Sequence, residues 1–117
     1  SLRANDLTMA QLGALLALNQ LPDRQLSYKE LEKKLHVAQS TTTGIVLRLE
    51  QKGFVECFGS EQDRRVKMVR LTQTGERCGY LADRHLEEAE EKLLSGLTET
   101  ERMIFYSLLV KVHQSIR

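Results

Sequence analysis

A mainly α-helical fold carrying one small β-hairpin is predicted by three features of the 117-residue sequence. Three helix starts are written as capping boxes, Thr8 with Gln11, Ser27 with Glu30 and Thr98 with Glu101. In each, a hydroxyl and a longer polar side chain three residues on satisfy each other's backbone N–H. Apolar residues recur at helical spacing along most of the chain. Only 54–58 and 66–71 alternate as strands do, and the polar stretch 59–65 joins them. The length suits one domain, 1–117, built on a single core.

The first helix starts at Thr8 and buries Leu12, Leu15 and Leu16, and Leu21-Pro22-Asp23 ends it because proline disfavours helix at the residue before it. The second starts at Ser27, with Leu31 and Leu35 inward and Lys29, Lys33 and Lys34 outward. After the turn His36-Val37-Ala38 comes a polar cluster from Gln39 to Thr43, then a helix whose Thr42, Ile45, Val46 and Leu49 share one face. Its opposite face carries Gln39, Ser40, Thr43, Gly44 and Leu47. Gly53 stands where a helix stops on a positive φ. In the hairpin, Val66, Met68 and Arg70 share a face. A long helix is expected over 72–95, with Cys78, Ala82, Leu86, Ala89 and Leu93 inward and Glu87, Glu88, Glu90 and Glu91 outward, until Gly96 breaks it. The last helix gathers Ile104, Phe105, Leu108, Leu109, Val112 and Ile116 into a broad apolar face.

Composition narrows the function. Hydrophobic residues at 41% and charged residues at 28% are ordinary for a soluble globular protein. No run approaches the roughly 20 apolar residues of a membrane span, and no leader precedes the first helix, so a cytoplasmic location is expected. The net charge of +1 is uninformative, but up to Arg77 there are 12 basic against 9 acidic residues, and beyond it 5 against 7. Phosphate binding therefore belongs to the first part of the chain. Cys57 and Cys78 lack zinc-site spacing and read as structural thiols, and His36, His85 and His113 are scattered. No metal or cofactor is expected. Nor is an enzyme, since the chain has no phosphate loop, nucleophile elbow or acid–base pair.

Two short helices joined by a tight turn, the second opening with small polar side chains, describe a helix-turn-helix. Short hydroxyls and amides at a helix start let the backbone approach phosphates while that end points into the major groove, where Gln pairs with adenine. The candidate contacts on that helix are Gln39, Ser40, Thr41, Thr43, Gly44 and Arg48, with Gly44 permitting close approach. Arg64, Arg65 and Lys67 concentrate cations on the projecting hairpin, suited to the backbone or minor groove beside a docked helix. Asp63 makes sense as an internal partner that orients a nearby Arg or pins the loop. The fold class is thus a winged helix-turn-helix over 8–71 followed by long helices over 72–117. A winged helix used for protein–protein contact without DNA is the alternative, because fold alone does not dictate function.

The sequence resembles the MarR family of bacterial transcriptional regulators. The resemblance is carried by Leu7-Thr8 with Gln11, by Glu30-Leu31 to Leu35, by Ser40 to Thr43, by Leu49-Glu50-Gln51-Lys52-Gly53-Phe54-Val55, and above all by Asp63-Arg64-Arg65 followed by Leu71-Thr72-Gln73-Thr74-Gly75. It implies that the 39–52 helix enters the major groove of double-stranded DNA and that Arg65, braced by Asp63, reaches toward the minor groove. It also implies a homodimer formed through the terminal helices, repression at a pseudo-palindromic operator, and control by a small-molecule effector held between lobe and dimer helices. Relatives carry a further helix ahead of Leu7, which here is either cut away or very short.

Overall fold

All three capping boxes form. In the computed structural model, which describes residues 7–116, α1 (Met9–Asn19), α2 (Tyr28–Leu35) and α5 (Glu99–Ser115) each start on a reciprocal pair of side-chain to backbone hydrogen bonds, from Thr8, Ser27 and Thr98. The remaining elements are β1 (Gln25–Ser27), α3 (Gln39–Gln51), β2 (Val55–Gly59), β3 (Lys67–Leu71) and α4 (Gln73–Leu94). The residues ahead of Leu7, where relatives carry a further helix, lie outside the described residues.

The hairpin proves to be part of a larger sheet. Three antiparallel strands run in the order β1-β3-β2. In β1, Leu26 stands opposite Val69, and both are buried. Three residues are too few to display alternation, so this strand is invisible to pattern reading. In β3, Val69 and Leu71 face the core and Met68 and Arg70 the other side, as the alternation requires.

Leu15, Leu18, Leu31, Val46, Leu49 and Val69 are fully buried and form the centre of the core. Leu18 lies one turn beyond Leu15 and joins it. Leu16, expected inward, is half-buried because it stands about 100° around the helix from Leu15. Gly53 ends α3 at φ +80°, and Gly75 has a different necessity: a Cβ there would lie 2.0 Å from the Phe54 carbonyl oxygen. That close approach seats the first turn of α4. Thr72 fastens it, its hydroxyl donating to the Gly53 carbonyl at 2.6 Å and accepting from the Gly75 N–H at 3.1 Å.

The described chain forms two compact units, one up to Arg84 and one from His85. The first thus includes, beyond the lobe expected over 8–71, the N-terminal half of α4, with Gly75, Cys78, Gly79 and Ala82 buried. In the second, Leu86, Ala89 and Leu93 are exposed. They were expected inward; no element of that unit covers them among the described residues. Arg102 pairs with Glu91 at 3.3 Å, and no residue of α5 is buried.

Candidate nucleic-acid interface

The turn between α2 and α3 is made by His36, whose left-handed backbone (φ 56°, ψ 43°) ends α2. α3 then begins at Ala38, which offers no side-chain cap. The first N–H groups of α3 therefore have neither an intrahelical nor a capping partner, and the positive end of the helix dipole is open to an anion. Gln39, Ser40, Thr41, Thr43, Gly44 and Arg48 are all exposed on this helix, as the predicted burial of Thr42, Ile45, Val46 and Leu49 demands. Thr43 turns its hydroxyl back onto the Gln39 carbonyl at 3.0 Å, so its oxygen is left only to accept.

At the wing, Asp63 grips Arg65 three times. Its carboxylate accepts from Arg65 Nε at 3.0 Å, from a terminal nitrogen at 3.1 Å and from the backbone N–H at 3.1 Å. A bidentate pair of this kind fixes the plane of the guanidinium. These hydrogen bonds hold the Asp63 carboxyl below its ordinary range and raise the Arg65 guanidinium above its own. The Arg65 side chain is nonetheless 91% exposed. It is held in place while remaining open to a ligand. Arg64 is exposed beside it. Lys67, within the expected 66–71 strand, is the first residue of β3, opposite Gly59. A further hairpin cation, Arg70, is engaged internally, 2.7 Å from Glu56 and over the Phe58 ring.

Tyr28, which sequence reasoning passed over, ties the helices to the wing. Its hydroxyl donates to the Cys57 sulfur in β2 at 3.2 Å, and the Lys67 ammonium in β3 lies 5.9 Å from its ring centroid. Its place at the first position of α2, just after a capping hydroxyl, is the only sequence signal it gives. Burial, then the Cys57 contact, pushes the Tyr28 hydroxyl far above its ordinary pKa. Burial likewise raises the thiols of Cys57 and Cys78.

Between α2, the start of α3 and the wing runs a groove of about 730 Å³ lined by Tyr28, Lys29, Lys33, Gln39, Thr43, Arg65, Val66 and Lys67, with Glu32 and Asp63 as its acids. The groove brings Gln39 and Thr43 together with Arg65 and Lys67. Ser40, Thr41, Gly44, Arg48 and Arg64 do not line it. An open helix start beside a cationic ridge can place a helix in one groove of a duplex and a guanidinium on the neighbouring backbone or minor groove. Among the described residues, no helix is long and apolar enough to cross a membrane.

Comparison with known proteins gives consistent findings. Residues 7–67 match the MarR family model. The chain is 36% identical over 103 residues to the Bacillus subtilis (strain 168) protein YfiV, described as an uncharacterized HTH-type transcriptional regulator, covering 86% of this chain and 62% of that protein. Among the first curated relatives it spans between 56% and 74% of their length. It is similar to the crystal structure of Streptococcus pneumoniae FabT in complex with DNA, with a TM-score of 0.84 and 29% identity over 95% of this chain and 76% of that one. It is also similar to Bordetella bronchiseptica BpsR, from a structure on the regulation of its DNA binding by 6-hydroxynicotinic acid, with a TM-score of 0.75 and 27% identity over 92% and 80% of the two chains.

Proposed function

The chain belongs to the MarR family of transcriptional regulators, and we propose that it is a repressor acting in the cytoplasm, binding a pseudo-palindromic operator as a homodimer. The observation that carries this reading is the pairing on one groove of an uncapped α3 N-terminus with the Asp63-clamped Arg65. Gln39, Ser40, Thr41, Thr43 and Gly44 face bases or phosphates in the major groove, and Arg48 meets the backbone at the helix edge. Arg64, Arg65 and Lys67 serve the wing, with Asp63 orienting Arg65. Two protomers place their recognition helices roughly 34 Å apart, one turn of DNA.

The helices over 72–117 supply the dimer contact in this proposal. Its support is the exposed apolar surface of α5, in which Met103, Ile104, Phe105, Tyr106, Leu108, Leu109 and Val112 all meet solvent. The proposal includes a small-molecule effector, in keeping with the regulation described for BpsR. A cleft of about 340 Å³ among Asn19, Arg24, Gln73, Glu76, Arg77 and Tyr80 has the size of a small-ligand pocket. An effector lowers operator affinity only by favouring the conformation that binds DNA less well.

Selection of bound sequences from a random duplex library tests the proposal. The expected product is an inverted repeat with half-site centres about 10 base pairs apart. Failure to enrich any sequence contradicts it.

A further inference from the structure

Two residues on the outward face of α3 have no explanation in the fold. Ser40, Gly44, Leu47 and Gln51 follow one another along the face opposite Thr42, Ile45, Val46 and Leu49. Leu47 is 50% exposed and takes no part in the core. It is the one large exposed hydrophobic residue of this helix. Three positions before it, a Cβ on Gly44 would meet nothing within 4 Å beyond its chain neighbours and the backbone of its own helix, so packing does not call for glycine. In a helix interior glycine is destabilising relative to alanine. An exposed leucine beside a notch that costs helix stability implies that something outside the lobe fits there.

We propose that Leu47 reads the C5-methyl group of a thymine in the major groove, and that the notch at Gly44 admits the base edge carrying it. The proposal rests on the DNA-binding reading above. The major-groove edges of the bases present hydrogen-bond donors and acceptors, and the thymine methyl is their apolar feature. A leucine has nothing to offer the polar positions. Gln39 and Ser40 supply hydrogen bonds earlier on the same helix, so polar and apolar readout are laid out in sequence along it. This makes Leu47, absent from the contacts expected from the sequence, a specificity-determining residue.

The test uses the full chain and the best duplex recovered from the random library, together with copies in which each thymine in turn is replaced by uracil, which lacks only the methyl group. At one position in each half-site, uracil should weaken binding about three- to fivefold, the effect of losing one apolar contact of methyl size. Leu47→Ala should bind more weakly and lose the distinction between thymine and uracil at that position alone. Gly44→Ala, by filling the notch, should weaken binding severalfold while raising the melting temperature, a combination that a structural role for the glycine would not give. The proposal is overturned if the native chain is indifferent to uracil at every position, or if Leu47→Ala keeps the same uracil penalty. If no duplex is enriched at all, the DNA-binding reading falls and takes this proposal with it. Enrichment without methyl dependence overturns the Leu47 assignment alone.

Discussion

Helices α3 and α5 are of comparable length and both carry apolar residues at helical spacing, yet α3 buries Thr42, Ile45, Val46 and Leu49 whereas α5 buries none of its residues. The difference is one of company. Packed by α1, α2 and the sheet, α3 has its apolar face satisfied within the first unit, and its polar face and open N-terminus are left for a ligand. Met103, Ile104, Phe105, Tyr106, Leu108, Leu109 and Val112 of α5 stand in water, and exposed apolar surface of that extent marks an interaction site. One helix is finished by its own chain, and the other presents the apolar face that the proposed dimer would cover.

Breaking that second surface should give the largest effect. Ile104→Glu with Leu108→Glu is expected to turn dimer into monomer in sedimentation while the circular dichroism of the helices upstream persists. Operator affinity should fall about 10²- to 10⁴-fold as two-site attachment is lost. Breaking the finished helix is a different experiment: Leu49→Ala should cost about 2–5 kcal/mol in denaturant unfolding, because it opens a cavity in a fully buried site. Dimerisation should survive it wherever the protein is folded. Arg65→Ala leaves both surfaces intact and should weaken DNA binding by about 1–3 kcal/mol, with a shallower salt slope and no change in melting temperature.

Two smaller effects sharpen the account of α3 and its wing. Thr42 is fully buried and its hydroxyl has no hydrogen-bond partner among the described residues. Thr42→Val keeps the shape and removes the unsatisfied oxygen, so unfolding should show a gain of up to about 1 kcal/mol. The smallest effect concerns pH. Asp63 has a lowered folded pKa because Arg65 donates to it. Its contribution is therefore complete at neutral pH and is lost only as pH falls below the ordinary carboxylate value of about 4 and through the lowered folded value. The Arg65 Nε–H signal in NMR should report that loss, and Asp63→Asn should abolish the titration.

The legible parts of this chain were those governed by local rules. Thr8, Ser27 and Thr98 announced their helices through capping boxes, Gly53 its positive φ, and Asp63 its clasp on Arg65, because each interaction closes within three residues. β1 was missed since its identity comes from pairing with β3, over forty residues distant in the chain. The same non-locality hid the reach of Tyr28 to Cys57 and Lys67. Periodicity turns Leu86, Ala89 and Leu93 inward, but it reports only that a face is apolar, without saying whether its own chain or another covers it. Gly75 was visible as a residue, but the carbonyl of Phe54 that demands it was not.

The central claim, that the α3 and wing surface binds DNA, is tested most directly by a fluorescence titration of the full chain against its selected duplex across a series of salt concentrations. The account predicts two protomers per duplex and an affinity that falls by about 10³-fold or more between 50 and 200 mM salt, as phosphate contacts from two lobes release their counterions. Binding that is absent, or indifferent to salt, would contradict it and assign the winged helix to protein–protein contact instead.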